Sequence, residues 1–314
     1  MGAEAFGKKG NKYIMNILKE FAILAAVVLQ IVGCARDDSR ATLEATLYDV
    51  IDKAPGTVGI AFVSEKDTIT INNGVRFGMM SVFKLHEALA VFNALERERQ
   101  SIDTVLNISA DELDENTWSP MLKDYGKRDM SVSVRELMNY AVTASDNNAS
   151  NILFSRIVSP QETDRFIKSF AADTSFMIRH TEAEMKRNHT LCYENYTSPL
   201  AAALLIGQVF NDDILSPANQ EAVKTALCTV TTGQNRIGEA LADVDGVLFA
   251  HKTGSGYRNE CGELTAFNDV AYIRLPDGRG YCLAVMIRDF SGTEDEASRI
   301  MADVSKRVYL YSVR

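Results

Sequence analysis

Between Ser81 and Glu98 the apolar residues Val82, Leu85, Ala88, Leu89, Phe92 and Leu95 recur every three or four positions, with His86, Glu87, Asn93 and Glu96 between them. That period predicts an amphipathic helix opening near Ser81. Before it, Thr57 to Phe62 and Thr68 to Ile71 read as two strands around Glu65-Lys66-Asp67, an early hairpin. Helical patterns then dominate from Val82 through Ala226, including Val134 to Thr143, Asn148 to Ile157 and Leu200 to Phe210. Strand patterns return at Val247 to Ala250, Leu264 to Leu275 and Tyr281 to Arg288, with Asp277-Gly278 as a turn. A last helix carries Ala297, Ile300, Met301, Val304 and Val308 on one face, suited to packing on a sheet. Both ends of the chain therefore serve one α/β layer.

Three strings stand at the edges of these elements: Ser81-Val82-Phe83-Lys84, Ser145-Asp146-Asn147 and Lys252-Thr253-Gly254. A Ser-x-x-Lys pattern alone arises about once by chance in a chain of this size. The two tripeptides are each expected on the order of one time in ten or rarer, so all three in order carry information.

Their chemistry is coherent. A serine hydroxyl needs a base to become a nucleophile. A lysine three residues on in a helix faces the same way, which places Lys84 beside Ser81. The helix N-terminus favours the oxyanion that forms when Ser81 attacks a carbonyl. Burial and a second cation, Lys252, would push the Lys84 pKa down and let it act as a base. Ser145 is the candidate proton relay between the two lysines, and Asn147 is placed to hold a substrate amide. Lys252, Thr253 and Ser255 lie on an expected edge strand and suit a carboxylate, while Gly254 permits close backbone approach.

These strings resemble the class A serine β-lactamases, and among them the divergent cephalosporinase branch. The likeness runs from about Leu43 to the C-terminus and includes Trp118-Ser119-Pro120 and Ser145-Asp146-Asn147-Asn148-Ala149-Ser150-Asn151. It implies an α/β (α+β) fold of the serine β-lactamase/DD-peptidase type, an antiparallel sheet flanked by helices plus an inserted all-α domain. The α/β part would come from about 43–80 and 233–314, and the all-α part from about 81–232. The implied substrate is a small-molecule β-lactam, cephalosporins preferred, opened through an acyl-serine intermediate with resistance as the outcome. The oxyanion hole would use the N–H groups of Ser81 and Ser255, and Ser145 would protonate the departing nitrogen.

Deacylation separates this family from penicillin-binding transpeptidases, and it requires a carboxylate. The family places one in Glu-x-x-Leu-Asn, followed by Asp-x-Thr-x-Pro. Here the matching stretches are Glu182-Ala183-Glu184-Met185-Lys186 and Asn195-Tyr196-Thr197-Ser198-Pro199, whose spacing favours Glu182 over Glu184 and Glu194. Lys186 replaces an asparagine that helps hold the hydrolytic water. His180 and Asn195 replace an Arg and an Asp that pair across the loop neck, so the loop must close otherwise. Arg236 is a candidate second charge for the substrate carboxylate, with an exposed surface arginine as the alternative. Trp118 is either a wall of the cleft or a packing residue.

The first 33 residues read as an export signal of lipoprotein type. Lys8, Lys9, Lys12 and Lys19 precede the apolar run Phe21 to Val32, which ends in Ile31-Val32-Gly33-Cys34. Cys34 is the expected lipidation site, residues 34–42 a tether, and the destination periplasmic; a plain cleaved signal is the other reading. A net charge of −9 and a pI near 5.1 argue against nucleic acid or anionic membrane surfaces as partners, leaving the lipid anchor as the membrane link. A monomer is expected. Neither Cys192, Cys228, Cys261 and Cys282 nor His86, His180, His189 and His251 has metal-ligand spacing, so no metal or other cofactor is implied. Cys282 is expected to be a buried free thiol, and His251 structural. Two alternatives stay open: a penicillin-binding DD-peptidase, and a lipoprotein that binds β-lactams without hydrolysing them.

Overall fold

The computed structural model describes residues 39–314. Cys34, the expected leader 1–33 and residues 34–38 of the tether lie outside the described residues. The chain divides into two compact units at Asp49–Val50. A helix over 39–51 (α1) makes up the described part of the first and ends two residues into the second; it buries Leu43 and Leu47, one turn apart.

In the second unit, β1 (Thr57–Ser64) and β2 (Thr68–Ile71) form the predicted hairpin. The chain passes through β3 (Phe77–Gly78) and a 3-10 turn at Met80–Val82 directly into α2 (Phe83–Glu98). Next come β4 (Val105–Ile108), α3 (Pro120–Tyr125), β5 (Met130–Ser133), α4 (Val134–Thr143), α5 (Asn147–Arg156) and α6 (Pro160–Lys168). Then follow β6 (Phe176–Met177), α7 (Glu182–Arg187), β7 (Tyr196–Thr197), α8 (Pro199–Asn211) and α9 (Pro217–Cys228). The last elements are β8 (Leu248–Ser255), β9 (Phe267–Arg274), β10 (Gly280–Arg288) and α10 (Glu294–Ser312). Several helix starts are written locally. The Ser-Pro pairs at 119–120, 159–160 and 198–199 each supply a capping hydroxyl followed by a proline suited to the first turn.

The main sheet has the order β2-β1-β10-β9-β8 and is antiparallel throughout. Successive side chains of β10 point to opposite faces. Cys282 meets Gly207 of α8 on one face, and Tyr281 packs with Phe62, which also meets Tyr311 of α10, on the other. The fold is thus a mixed α/β architecture with helices on an antiparallel sheet. β8 is an edge strand and runs on through Ser255, where the apolar pattern suggested an end at Ala250. Its extra residues pair with Val270 to Phe267 of β9, a register local pattern does not reveal. All four described cysteines are free, Cys192 and Cys282 buried, Cys228 and Cys261 exposed. Burial pushes the Cys282 thiol up to about 12.

α2 departs from its predicted amphipathic character. It packs against α4, α5, α6 and α9, so His86 and Glu87 are buried along with its apolar positions. Glu87 accepts from Ser150 Oγ at 2.8 Å, and burial raises its carboxyl well above the ordinary range. Burial lowers His86 from 6.5 to about 4. The unfolded chain takes up this proton near 6.5 and the folded chain only near 4, so His86's contribution is present above 6.5 and lost as pH falls towards 4. The loss is on the order of 3 kcal/mol. Glu87 works in the opposite sense, its contribution being present at low pH and lost as pH rises. Between pH 7 and pH 4 the urea midpoint of wild type should fall relative to that of His86→Leu, because only wild type carries the histidine's acid sensitivity. A constant difference between them would contradict this.

Candidate active site

The turn at Met80–Val82 and the first turn of α2 put Lys84 Nζ 2.9 Å from Ser81 Oγ. Ser81 Oγ donates to Glu182 Oε1 at 2.9 Å, and Lys84 Nζ stands 3.0 Å from the same oxygen. Lys84 also donates to Ser145 O at 2.9 Å and Asn147 Oδ1 at 2.6 Å. Lys84 and Glu182 are both buried. A buried ammonium is tolerated only when paired and hydrogen-bonded, and this one has four oxygen neighbours. A hydroxyl that donates to a carboxylate while a lysine nitrogen donates to it is set to lose its proton to the carboxylate, or to the lysine once that nitrogen is neutral.

Glu182 opens α7. Thr181 caps that helix, its Oγ1 accepting from Glu184 N while Glu184 Oε2 accepts from Thr181 N. Glu184 is thereby used in the cap. Glu194 sits at the surface with His180 Nε2 at 3.0 Å and Arg179 Nη1 at 3.6 Å. Of the three acids the sequence offered, Glu182 is the one brought to Ser81. The loop neck closes through Asn195, which is fully buried. Its Oδ1 accepts from Arg179 N at 2.8 Å and His180 N at 3.0 Å, and its Nδ2 donates to His180 O at 2.7 Å. An amide does with backbone groups what an ion pair would otherwise do. Lys186 is drawn into a salt bridge with Asp114, in the loop before Trp118.

Ser145 has a left-handed backbone, φ 59°. Asp146 holds it there, accepting from Ser119 Oγ at 2.8 Å, Met121 N at 2.7 Å and Ala149 N at 2.9 Å. The serine does stand between the two lysines, with its carbonyl on Lys84 and its hydroxyl accepting from Lys252 Nζ at 2.8 Å. Asn147 donates to Thr117 Oγ1 at 2.9 Å. Trp118 is exposed, its Nε1 donating to Ala144 O at 2.8 Å and Lys123 lying over its ring. It is no core residue.

β8 closes the other side. Lys252 is fully buried, and burial followed by the Lys84 charge holds its ammonium well below the usual lysine range. Thr253 Oγ1 meets Thr232 Oγ1 at 2.6 Å. Gly254 is obligatory by contact, since a Cβ there would stand 2.3 Å from Met79 O. Arg236 is buried rather than exposed, which removes the surface alternative. It donates to Asn268 O at 2.6 Å and Ser255 Oγ at 2.7 Å, and its guanidinium lies 3.6 Å over Phe267. Burial pushes it down to about 10. His251 Nδ1 pairs with Asp269 Oδ1 at 2.9 Å inside the sheet, a structural contact.

Four supporting residues were given no role by the sequence: Asp146 and Asn151, which stand within the quoted strings, and Thr232 and Asn268; Asn151 accepts from Ala183 N at 3.0 Å. Asn268 Nδ2 donates to Gly78 O at 2.7 Å and Met79 O at 3.2 Å, tying β9 to the nucleophile segment. Its signal was available, because Asn268-Asp269 interrupts an otherwise apolar strand.

Comparison with known proteins agrees with this geometry. Residues 42–312 match the family described as the β-lactamase enzyme family. A β-lactamase of Phocaeicola vulgatus is 45% identical over 265 residues, covering 84% of this chain and 83% of the relative. The crystal structure of the TLA-3 extended-spectrum β-lactamase superimposes with a TM-score of 0.83 at 30% identity, covering 87% of this chain and 99% of that one. A class A β-lactamase from Bacteroides cellulosilyticus gives 0.82 at 25% identity, with 87% and 98% covered. The chain belongs to the β-lactamase enzyme family and is a class A β-lactamase, a serine hydrolase of β-lactams.

Asn195→Ala deletes three hydrogen bonds at the loop neck and leaves buried backbone groups unpaired. It should cost about 2–4 kcal/mol in urea unfolding, and in single-turnover kinetics it should slow deacylation more than acylation. Deacylation as fast as in wild type would mean that the neck does not position Glu182.

Proposed function

We propose that this enzyme prefers cephalosporins to penicillins, that Ser81, Lys84, Ser145 and Glu182 carry its chemistry, and that it acts as a periplasmic lipoprotein conferring β-lactam resistance. The observation that carries the catalytic reading is the Ser81 hydroxyl, 2.9 Å from both Glu182 Oε1 and Lys84 Nζ. Ser81 Oγ attacks the lactam carbonyl as its proton leaves to one of these groups. The oxyanion is met by the N–H of Ser81, at the N-terminal end of the α2 segment where the helix dipole is favourable, and by the N–H of Ser255 at the end of β8. The C–N bond breaks and the nitrogen takes a proton from Ser145, resupplied by Lys252. The lowered pKa of that ammonium makes it a better acid for the purpose.

The ring carboxylate is held by Lys252, Thr253 and Ser255, with Arg236 behind Ser255 supplying further charge. Gly254 lets β8 lie alongside the ring. Asn147 takes the amide of the acyl group, and Trp118 walls the outer side. Once the proton taken from Ser81 has passed on to make good the one Lys252 gave, Glu182 takes a proton from water as that water attacks the ester; the Ser81 Oγ–carbon bond then breaks and Ser81 Oγ takes that proton back. Lys186, pinned by Asp114, leaves this step to Glu182. Cephalosporin preference is supported by a loop neck built on an amide instead of an ion pair, and by the likeness to an extended-spectrum relative. The apolar run and Ile31-Val32-Gly33-Cys34 support export and lipidation at Cys34.

A chromogenic cephalosporin should be turned over by wild type, untouched by Ser81→Ala, and released by Glu182→Gln only as a single acylation burst, with steady-state turnover down by roughly 10³-fold or more. Steady turnover by Glu182→Gln would remove Glu182 as the deacylating base. In the same assay kcat/KM for cephalosporins should exceed that for benzylpenicillin, and the reverse order would end the substrate preference. Metabolic labelling with palmitate should mark the expressed protein and fail with Cys34→Ser; an unlabelled wild type would leave a soluble, cleaved enzyme.

A further inference from the structure

Glu87 is a buried acid that the proposed chemistry does not use, and it stands one turn beyond Lys84 on α2. Residues three apart on a helix share a face, so Lys84 and Glu87 present neighbouring side chains to whatever packs there. On α5 the same step separates Asn147 from Ser150. The two pairs meet in order: Lys84 Nζ donates to Asn147 Oδ1 at 2.6 Å, and Ser150 Oγ donates to Glu87 Oε2 at 2.8 Å. They form two rungs between the helices, the first made by Lys84 itself and the second one turn further along. The stacked rings of Phe83 and Phe154, with centroids 5.6 Å apart, add an apolar contact between the same helices.

A carboxyl is a costly group to bury. Ser150 is its one side-chain hydrogen-bond partner, since Glu87 Oε1 meets none among the described residues. A leucine would fill this place between helices without the loss of hydration, so packing alone does not account for the acid. What the acid adds is direction. A hydrogen bond fixes the rotation and slide of α5 on α2, whereas the apolar Phe83–Phe154 contact is non-directional.

That direction matters because of the next residue. Asn151 follows Ser150 on α5, and its Oδ1 accepts from Ala183 N at 3.0 Å, one residue from Glu182. We propose that Glu87 is a positioning residue for deacylation, its hydrogen bond with Ser150 setting α5 so that Asn151 holds the backbone that carries Glu182. This role rests on Glu182 acting as the deacylating base. Burial raises the Glu87 carboxyl well above the ordinary range, which favours the neutral acid. A neutral rung suits the place, because Lys84 and Glu182 are near enough for a second anion to disturb both. It would hold the ammonium on Lys84 and draw a proton onto Glu182.

The test is turnover of a chromogenic cephalosporin by the purified enzyme, with deacylation read separately from the decay of the acyl-enzyme. Slower deacylation lets acyl-enzyme accumulate, which lowers kcat and KM together and leaves kcat/KM, set by acylation, near wild type. A loss of folded protein lowers kcat alone. In Glu87→Leu deacylation should slow about tenfold, a scale reached by small misplacements of a catalytic group, with kcat and KM falling in parallel. Ser150→Ala should give the same pattern and carries the test if Glu87→Leu folds poorly. Glu87→Gln, whose amide oxygen still accepts from Ser150, should return deacylation to the wild-type rate. Unchanged deacylation in both Glu87→Leu and Ser150→Ala, a fall in kcat at constant KM, or a Glu87→Gln variant as slow as Glu87→Leu each overturn the rung and leave Glu182 as the base. Steady turnover by Glu182→Gln overturns the base and the rung with it.

Discussion

The Lys84 ammonium has no access to water, and its oxygen partners come from three separate stretches of chain: Ser81, the Ser145-Asp146-Asn147 loop, and Glu182. Removing such a charge from water costs several kcal/mol, recovered only when every partner is in place. The three stretches are therefore obliged to arrive together. A fold that misplaced any of them would leave a buried charge unpaired, so the geometry needed for reaction is also the geometry in which this charge is tolerable. Lys252 repeats the arrangement with fewer partners, Ser145 Oγ and Thr253 O.

Strain at the site is held by the same contacts. Met80 and Ser145 both have left-handed backbones, φ 45° and 59°, each a cost on the order of 1–3 kcal/mol for a residue with a side chain. Asp146 over-determines the Ser145 loop. Asn268 bonds to the carbonyls of Gly78 and Met79 on the approach to Met80, and Gly254 lets β8 come close enough to support that segment. The edge strand thus serves twice, carrying Lys252, Thr253 and Ser255 while its backbone buttresses the segment that leads into Ser81. A side chain at 254 would separate the two by steric contact alone.

The loop from His180 to Asn195 shows how a changed residue set reaches a working geometry. With His180 and Asn195 at its neck in place of an ion pair, it is drawn together there by one buried amide bonding to backbone, while Lys186 turns to Asp114. Glu182 is fixed from below by its cap and by Asn151, and the far end of the loop rests on Tyr257 through His189. The two ends of the loop are therefore held by separate sets of contacts.

Local sequence determined the elements and the reactive groups. The early hairpin, the helix after Ser81, the Ser-Pro helix starts and the three-residue step from Ser81 to Lys84 all follow from short-range periodicity and capping, which act between neighbours in the chain. Family resemblance added the register that singled out Glu182. What only the tertiary structure decided are pairings between residues far apart in sequence: Arg236 buried on Ser255, Lys186 on Asp114, Asn195 across the loop neck, His189 on Tyr257, and His86 and Glu87 turned inward. Their side chains carry no pattern that names a partner. Each was settled by how helices surround α2 and how β8 comes against the turn at Met80, because packing fixes which groups lose water and must find one another.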